Sequence, residues 1–105
     1  MNMETRNEYI ITTNSISAKK FFRRRCNNYN KNYLFIDKSK LQAKLIIDDE
    51  ILISINTLII NKVFDLKGRT FKNSYLYIDK NIINNEDIFK EVNLRNEGIK
   101  EMIFF

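Results

Sequence analysis

Histidine is absent from these 105 residues, cysteine occurs once, at Cys26, and glycine only at Gly68 and Gly98. A lone cysteine rules out an intrachain disulfide, and without histidine a metal site would rest almost wholly on oxygen ligands, which excludes the usual zinc centres. Two glycines thirty residues apart cannot build a G-x-x-x-x-G-K-[ST] phosphate loop. No run approaches the roughly 20 apolar residues that span a bilayer, so no membrane partner is expected. Met1 to Glu8 is polar and lacks the apolar core of a signal peptide, which leads to the expectation of a cytoplasmic protein, in the host cytoplasm if it is phage-encoded. No cofactor is implied by any motif.

Cationic charge is abundant but unevenly placed. Nine Lys/Arg face three Asp/Glu in the first forty residues, whereas residues 41 to 105 carry nine against ten. The excess peaks at Lys19-Lys20-Phe21-Phe22-Arg23-Arg24-Arg25, one place for a polyanion or an acidic partner to dock. Seventeen Ile, fifteen Asn and twelve Lys, residues with A/T-rich codons, point to an AT-rich genome: a bacterium, its phage or a protist. The length fits one domain over 1–105 with a modest core, its first eight residues expected to be loose.

Periodicity then supplies the elements. Tyr9 to Thr13 is β-branched and aromatic and predicts a strand. Asn14 or Ser15 offers a helix cap, after which Ala18, Phe22, Cys26 and Tyr29 recur three or four apart, with Phe21 beside them and Lys19, Lys20, Arg23 and Arg24 opposite. This spacing predicts an amphipathic helix with a basic outer face, its cations toward the end that the helix dipole favours. Cys26 beside three arginines has neighbours that lower a thiol pKa, but with no histidine base in the chain the residue reads as a small core hydrophobe. Tyr33 to Asp37 predicts a second strand. Residues 41 to 64 fit two readings, a hairpin of Leu45–Ile47 and Ile51–Ile55 turning at Asp48-Asp49-Glu50, or a short helix through Ile55, Leu58, Ile59 and Lys62. A turn at Lys67-Gly68-Arg69, a strand over Ser74–Asp79, a short helix over Glu86–Asn93 capped by Asn84 or Asn85, and a strand-like tail from Ile99 to Phe105 complete the chain. The expected fold is α/β or α+β, a small mixed or mostly parallel sheet with two or three helices.

Lys31 to Lys38 and Lys72 to Lys80 echo each other, each an apolar run ending at an Asp. Two core strands of one parallel sheet account for this. The sharper alternative sets Asp37 and Asp79 together at the carboxyl ends of neighbouring strands, where open α/β sheets hold ligands. The segment Leu66 to Asp79 also resembles the approach to the Walker B strand of P-loop NTPases of the helicase and phage-terminase kind. That resemblance implies a magnesium-binding role for Asp79. Lys80 stands where the family commonly has a catalytic Glu, and with the phosphate loop also missing it implies at most an inactive relative.

The candidate binding residues are therefore Lys19, Lys20, Arg23, Arg24 and Arg25, with Lys31 and Tyr29 nearby for a further ion contact and for base stacking. Met102, Phe104 and Phe105 form a second candidate surface, a protein contact or a self-association strand that would make a homodimer. Solvated helix face and core packing are the plainer readings of these two sets. No catalytic or metal residue is assigned, although Asp48, Asp49 and Glu50, or Asp37, Asp79 and Lys80, are the acids a glycosidase or metal-dependent nuclease would have to draw on. The reading that follows is a small non-catalytic inhibitor or adaptor docking on an acidic protein surface or a nucleoprotein complex. It resembles in profile the inhibitors of phage and mobile elements, of which anti-CRISPR proteins are an example. The second reading is an accessory RNA- or DNA-binding protein, and the third a nuclease-like enzyme.

Overall fold

A computed structural model describes residues 4–95 and 98–105. Six strands, β1 (Arg6–Thr12), β2 (Leu34–Asp37), β3 (Gln42–Ile47), β4 (Glu50–Ile59), β5 (Ser74–Ile78) and β6 (Glu101–Phe104), form one mixed sheet in the order β2-β3-β4-β1-β5-β6. β4, β1, β5 and β6 run parallel, while β2-β3-β4 is an antiparallel meander. Helix α1 (Ser15–Cys26) packs on one face and α2 (Glu86–Leu94) on the other. The expected mixed α/β domain is the one observed. No helix among the described residues is long and apolar enough to cross a membrane.

Alternation within β1 sets the two cores. Glu8, Ile10 and Thr12 point toward α1, where Ile10 joins Phe22, Cys26, Ala43, Ile55 and Tyr77. Ile11 points the other way, into a cluster with Leu58, Leu76, Ile78, Ile88 and Val92, closed by Leu66, Phe71 and Ile82 from the connecting turns. Each apolar side chain removed from water in these clusters contributes about 1.5–3 kcal/mol before chain entropy is subtracted.

Local chemistry explains the boundaries. The Asn14 side chain accepts the Ile16 and Ser17 amides and starts α1, and Asn85 accepts the Ile88 amide and starts α2. The open stretch 41–64 resolves as the hairpin. With no glycine at the turn, Asp48 and Asp49 themselves adopt left-handed φ of 52° and 63°, which short acidic side chains tolerate. The helical spacing at Ile55, Leu58 and Ile59 arises because β4 is covered on both faces, so apolar residues fall at successive positions. Residues 6–8 were expected to be loose. They instead open the central strand, with Glu8 fully buried.

Candidate docking surface on helix α1

Helix α1 stands as a ridge between two grooves. Its positions 19, 22, 23 and 26 line one flank, together with Leu34, Ile36, Lys38 and Leu41 of the β2–β3 hairpin and with Asn27 and Lys31, around a cleft of about 710 Å³. Its positions 17, 20, 21 and 24 line the other flank, with Arg23 and with Phe105 from beyond β6, around a shallower groove of about 490 Å³. Both sets follow the spacing of three and four that places residues on one side of a helix. Lys19, Lys20, Arg23 and Arg24 are exposed, and none of the ion pairs among the described residues involves them.

The first groove is built as a cationic rim over an apolar floor. Lys19 and Arg23 come from α1, Lys31 from the connection to β2 and Lys38 from the β2–β3 turn, while Phe22, Cys26, Leu34, Ile36 and Leu41 supply the apolar lining. No acidic side chain is among the described residues that line it. Leu41 holds an unusual backbone for a bulky residue, with φ of 51°. The turn that carries it is fixed by Asp37, whose carboxylate accepts the Ser39 hydroxyl and amide and the Lys40 amide at 2.7, 3.0 and 3.2 Å. The Ser39 hydroxyl and the Lys40 amide hold the Asp37 carboxyl below its ordinary pKa.

Arg25 and Tyr29 do something different from their basic and aromatic neighbours. Arg25 lies seven residues after Ala18 and three after Phe22, on the inward side of α1, and donates to both oxygens of Glu8 at 2.8 and 3.0 Å. Its guanidinium also lies 4.5 Å from the centre of the Tyr77 ring. The Tyr29 hydroxyl donates to the same carboxylate, and Arg6 donates to it at 2.9 Å. Burial by itself would raise the Glu8 carboxyl, but the bonds from Arg25, Tyr29 and Arg6 outweigh it and hold the group below the usual range. Burial and the Glu8 bond together push the Tyr29 phenol up to about 12. The expected phosphate contact at Arg25 and base stacking at Tyr29 are thus displaced by a structural duty, anchoring the end of α1 on β1. Glu8, which the sequence reading left unassigned, is the centre of that anchor.

The second candidate surface divides. Phe105 turns toward α1, stacks on Phe21 with ring centres 3.9 Å apart and planes 3° from parallel, and so becomes part of the basic ridge. Met102 and Phe104 point to the opposite face, where Met102 packs on the α2 core and Phe104 lies 6.2 Å from Phe89. β6 pairs with β5 alone and is one edge of the sheet.

Cys26 is buried in the groove floor, and burial, with Glu8 adding to it, pushes its thiol up to about 11, which makes it a poor nucleophile. The alternative that set Asp37 and Asp79 side by side does not hold, and of the two echoing strands β5 is a core strand whereas β2 is an exposed edge strand. The two strands run in the same direction but stand four places apart, about 19 Å across the sheet. Asp79 is nearly buried and accepts the Thr12 hydroxyl at 2.8 Å and the Asn81 amide at 3.0 Å, tying the end of β5 to β1. Asp48 and Asp49 occupy the β3–β4 turn, with Glu50 starting β4. Among the described residues no group of three or more acids or thiols is placed to hold a metal ion. The chain matches no protein-family model, no curated protein and no solved structure.

Proposed function

We propose that this protein is a small non-catalytic docking protein, an inhibitor or adaptor of the kind phages and mobile elements use, that engages an acidic surface of a protein or nucleoprotein complex with the outer side of α1. One observation carries this reading: four exposed cations that take part in none of the ion pairs among the described residues stand on a ridge whose two flanks are grooves with apolar walls. Cations alone would favour any polyanion. Cations arranged around apolar surface favour a partner that brings both acidic and apolar side chains, because burial of the latter supplies affinity that salt does not screen.

Affinity capture from host lysate, with and without nuclease, tests this reading when the wild-type protein is compared with the Arg23→Glu/Arg24→Glu variant. The expected result is a discrete protein partner that survives nuclease and is lost in the variant. Recovery of nucleic acid alone, lost at high salt, would overturn the protein-docking reading in favour of the accessory nucleic-acid binder.

A further inference from the structure

Resting on that docking role, we infer that the groove between α1 and the β2–β3 hairpin receives an acidic amphipathic segment of a partner protein, its apolar side chains on the floor and its carboxylates against the rim. Charge complementarity selects the occupant: Lys19, Arg23, Lys31 and Lys38 all line the cleft and no acidic side chain is among the described residues that do, so an anionic segment is the one it favours.

The floor decides between polypeptide and nucleic acid. A single strand adds to its phosphate contacts the stacking of bases on accessible aromatic rings. Among the described residues that line this groove the one aromatic side chain, Phe22, is 5% exposed and offers no stacking face. The exposed Phe35 alternates to the other face of β2, away from α1. What the floor does offer is aliphatic: Ile36, 44% exposed, beside Leu34 and Leu41. A volume of about 710 Å³ is room for several side chains of a docked segment. The left-handed backbone at Leu41 fits the same picture, since strained positions of bulky residues cluster at ligand-binding sites.

The test uses fluorescence anisotropy with three labelled probes on the full chain. The first is a helix of about 15 residues, roughly four turns, with Leu along one face and Glu flanking it. The second is the same composition scrambled so that the Leu residues no longer share a face, and the third is a short oligothymidylate. The amphipathic probe is expected to bind at least about tenfold more tightly than either of the others, the worth of one well-buried apolar side chain. Ile36→Glu, at an exposed edge-strand position, and Leu41→Asn, which suits the left-handed backbone, should each cost about tenfold. Lys90→Glu, at an exposed position of α2 on the opposite face of the sheet, should change affinity less than about threefold. Equal binding of the amphipathic and scrambled probes, unchanged by Ile36→Glu and Leu41→Asn, would overturn the groove assignment while leaving electrostatic docking by α1 intact. Failure of the wild-type protein to bind any of the three anionic probes would overturn both.

Discussion

The Glu8 carboxylate and the Arg25 guanidinium meet across the β1–α1 interface through two N–H···O bonds, Nε to Oε1 at 2.8 Å and Nη2 to Oε2 at 3.0 Å. Glu8 is fully enclosed, so its charge is compensated only by the groups that surround it. Removing one member of such a buried pair leaves the other charged and unpaired, and Arg25→Ala or Glu8→Gln is expected to cost about 3–5 kcal/mol in urea unfolding.

The same carboxylate makes stability acid-sensitive. Its folded pKa lies below the value of 4.5 that it has in an unfolded chain, so its contribution is fully present above that pH and is lost as pH falls through the folded value. The stability difference between wild type and Glu8→Gln should be constant near neutrality and shrink below about pH 4.5. A difference that stayed constant on acidification would show that Glu8 is not held ionised by Arg25, Tyr29 and Arg6.

Three consecutive arginines should respond to charge reversal in two ways. Arg23 and Arg24 are solvent-exposed and outside the described ion pairs, so Arg23→Glu/Arg24→Glu should leave the unfolding midpoint near that of wild type while abolishing partner capture. Arg25→Glu places a second carboxylate against Glu8 and should unfold the chain or lower its melting temperature severely. Circular dichroism melting of the two variants checks this, and equal behaviour of all three positions would contradict the inward placement of Arg25.

Element types were legible in the sequence wherever one periodicity dominated. α1, the strands after Tyr33 and Ser74, and the caps at Asn14 and Asn85 emerge where spacing and side-chain chemistry predict them. β4 was ambiguous for a physical reason, since a central strand covered on both faces loses the alternation that marks a strand. Of the proposed docking surface, the cationic part could be read from the sequence, as Lys19, Lys20, Arg23, Arg24 and Lys31 are cations on or beside one amphipathic helix. The groove floor was not, because Leu34, Ile36 and Leu41 meet α1 only through the folding of the hairpin. Arg25 carried a signal that charge obscured: its offset of seven from Ala18 and three from Phe22 puts it on the buried side.

Asp37 and Asp79 have separate structural duties rather than a shared chemical one. Asp79→Ala removes the 2.8 Å acceptor of the buried Thr12 hydroxyl, leaving it only the Asn14 carbonyl at 3.5 Å, and should cost about 1–3 kcal/mol in stability. Asp37→Asn keeps an acceptor oxygen for the Ser39 and Lys40 amides and should be mild. Docking by the folded Asp37→Asn/Asp79→Asn protein is expected to match wild type. Loss of a divalent-ion-dependent activity in that variant, with its fold retained, would restore the nuclease reading.

The parallel stack of Phe21 on Phe105 joins α1 to the chain just beyond β6, and offset-stacked aromatic pairs contribute about 0.5–1.5 kcal/mol beyond the area they bury. A double-mutant cycle of Phe21→Leu and Phe105→Leu should therefore return a coupling energy of about that size in urea unfolding. The two rings also wall the shallower groove, on the side of α1 away from Lys19 and Leu41. Phe105→Leu should then weaken partner capture only if the partner spans the whole ridge, and should leave affinity for the short amphipathic probe within about threefold of wild type. A larger loss for the short probe would move its seat from the hairpin side of the helix to the Phe105 side.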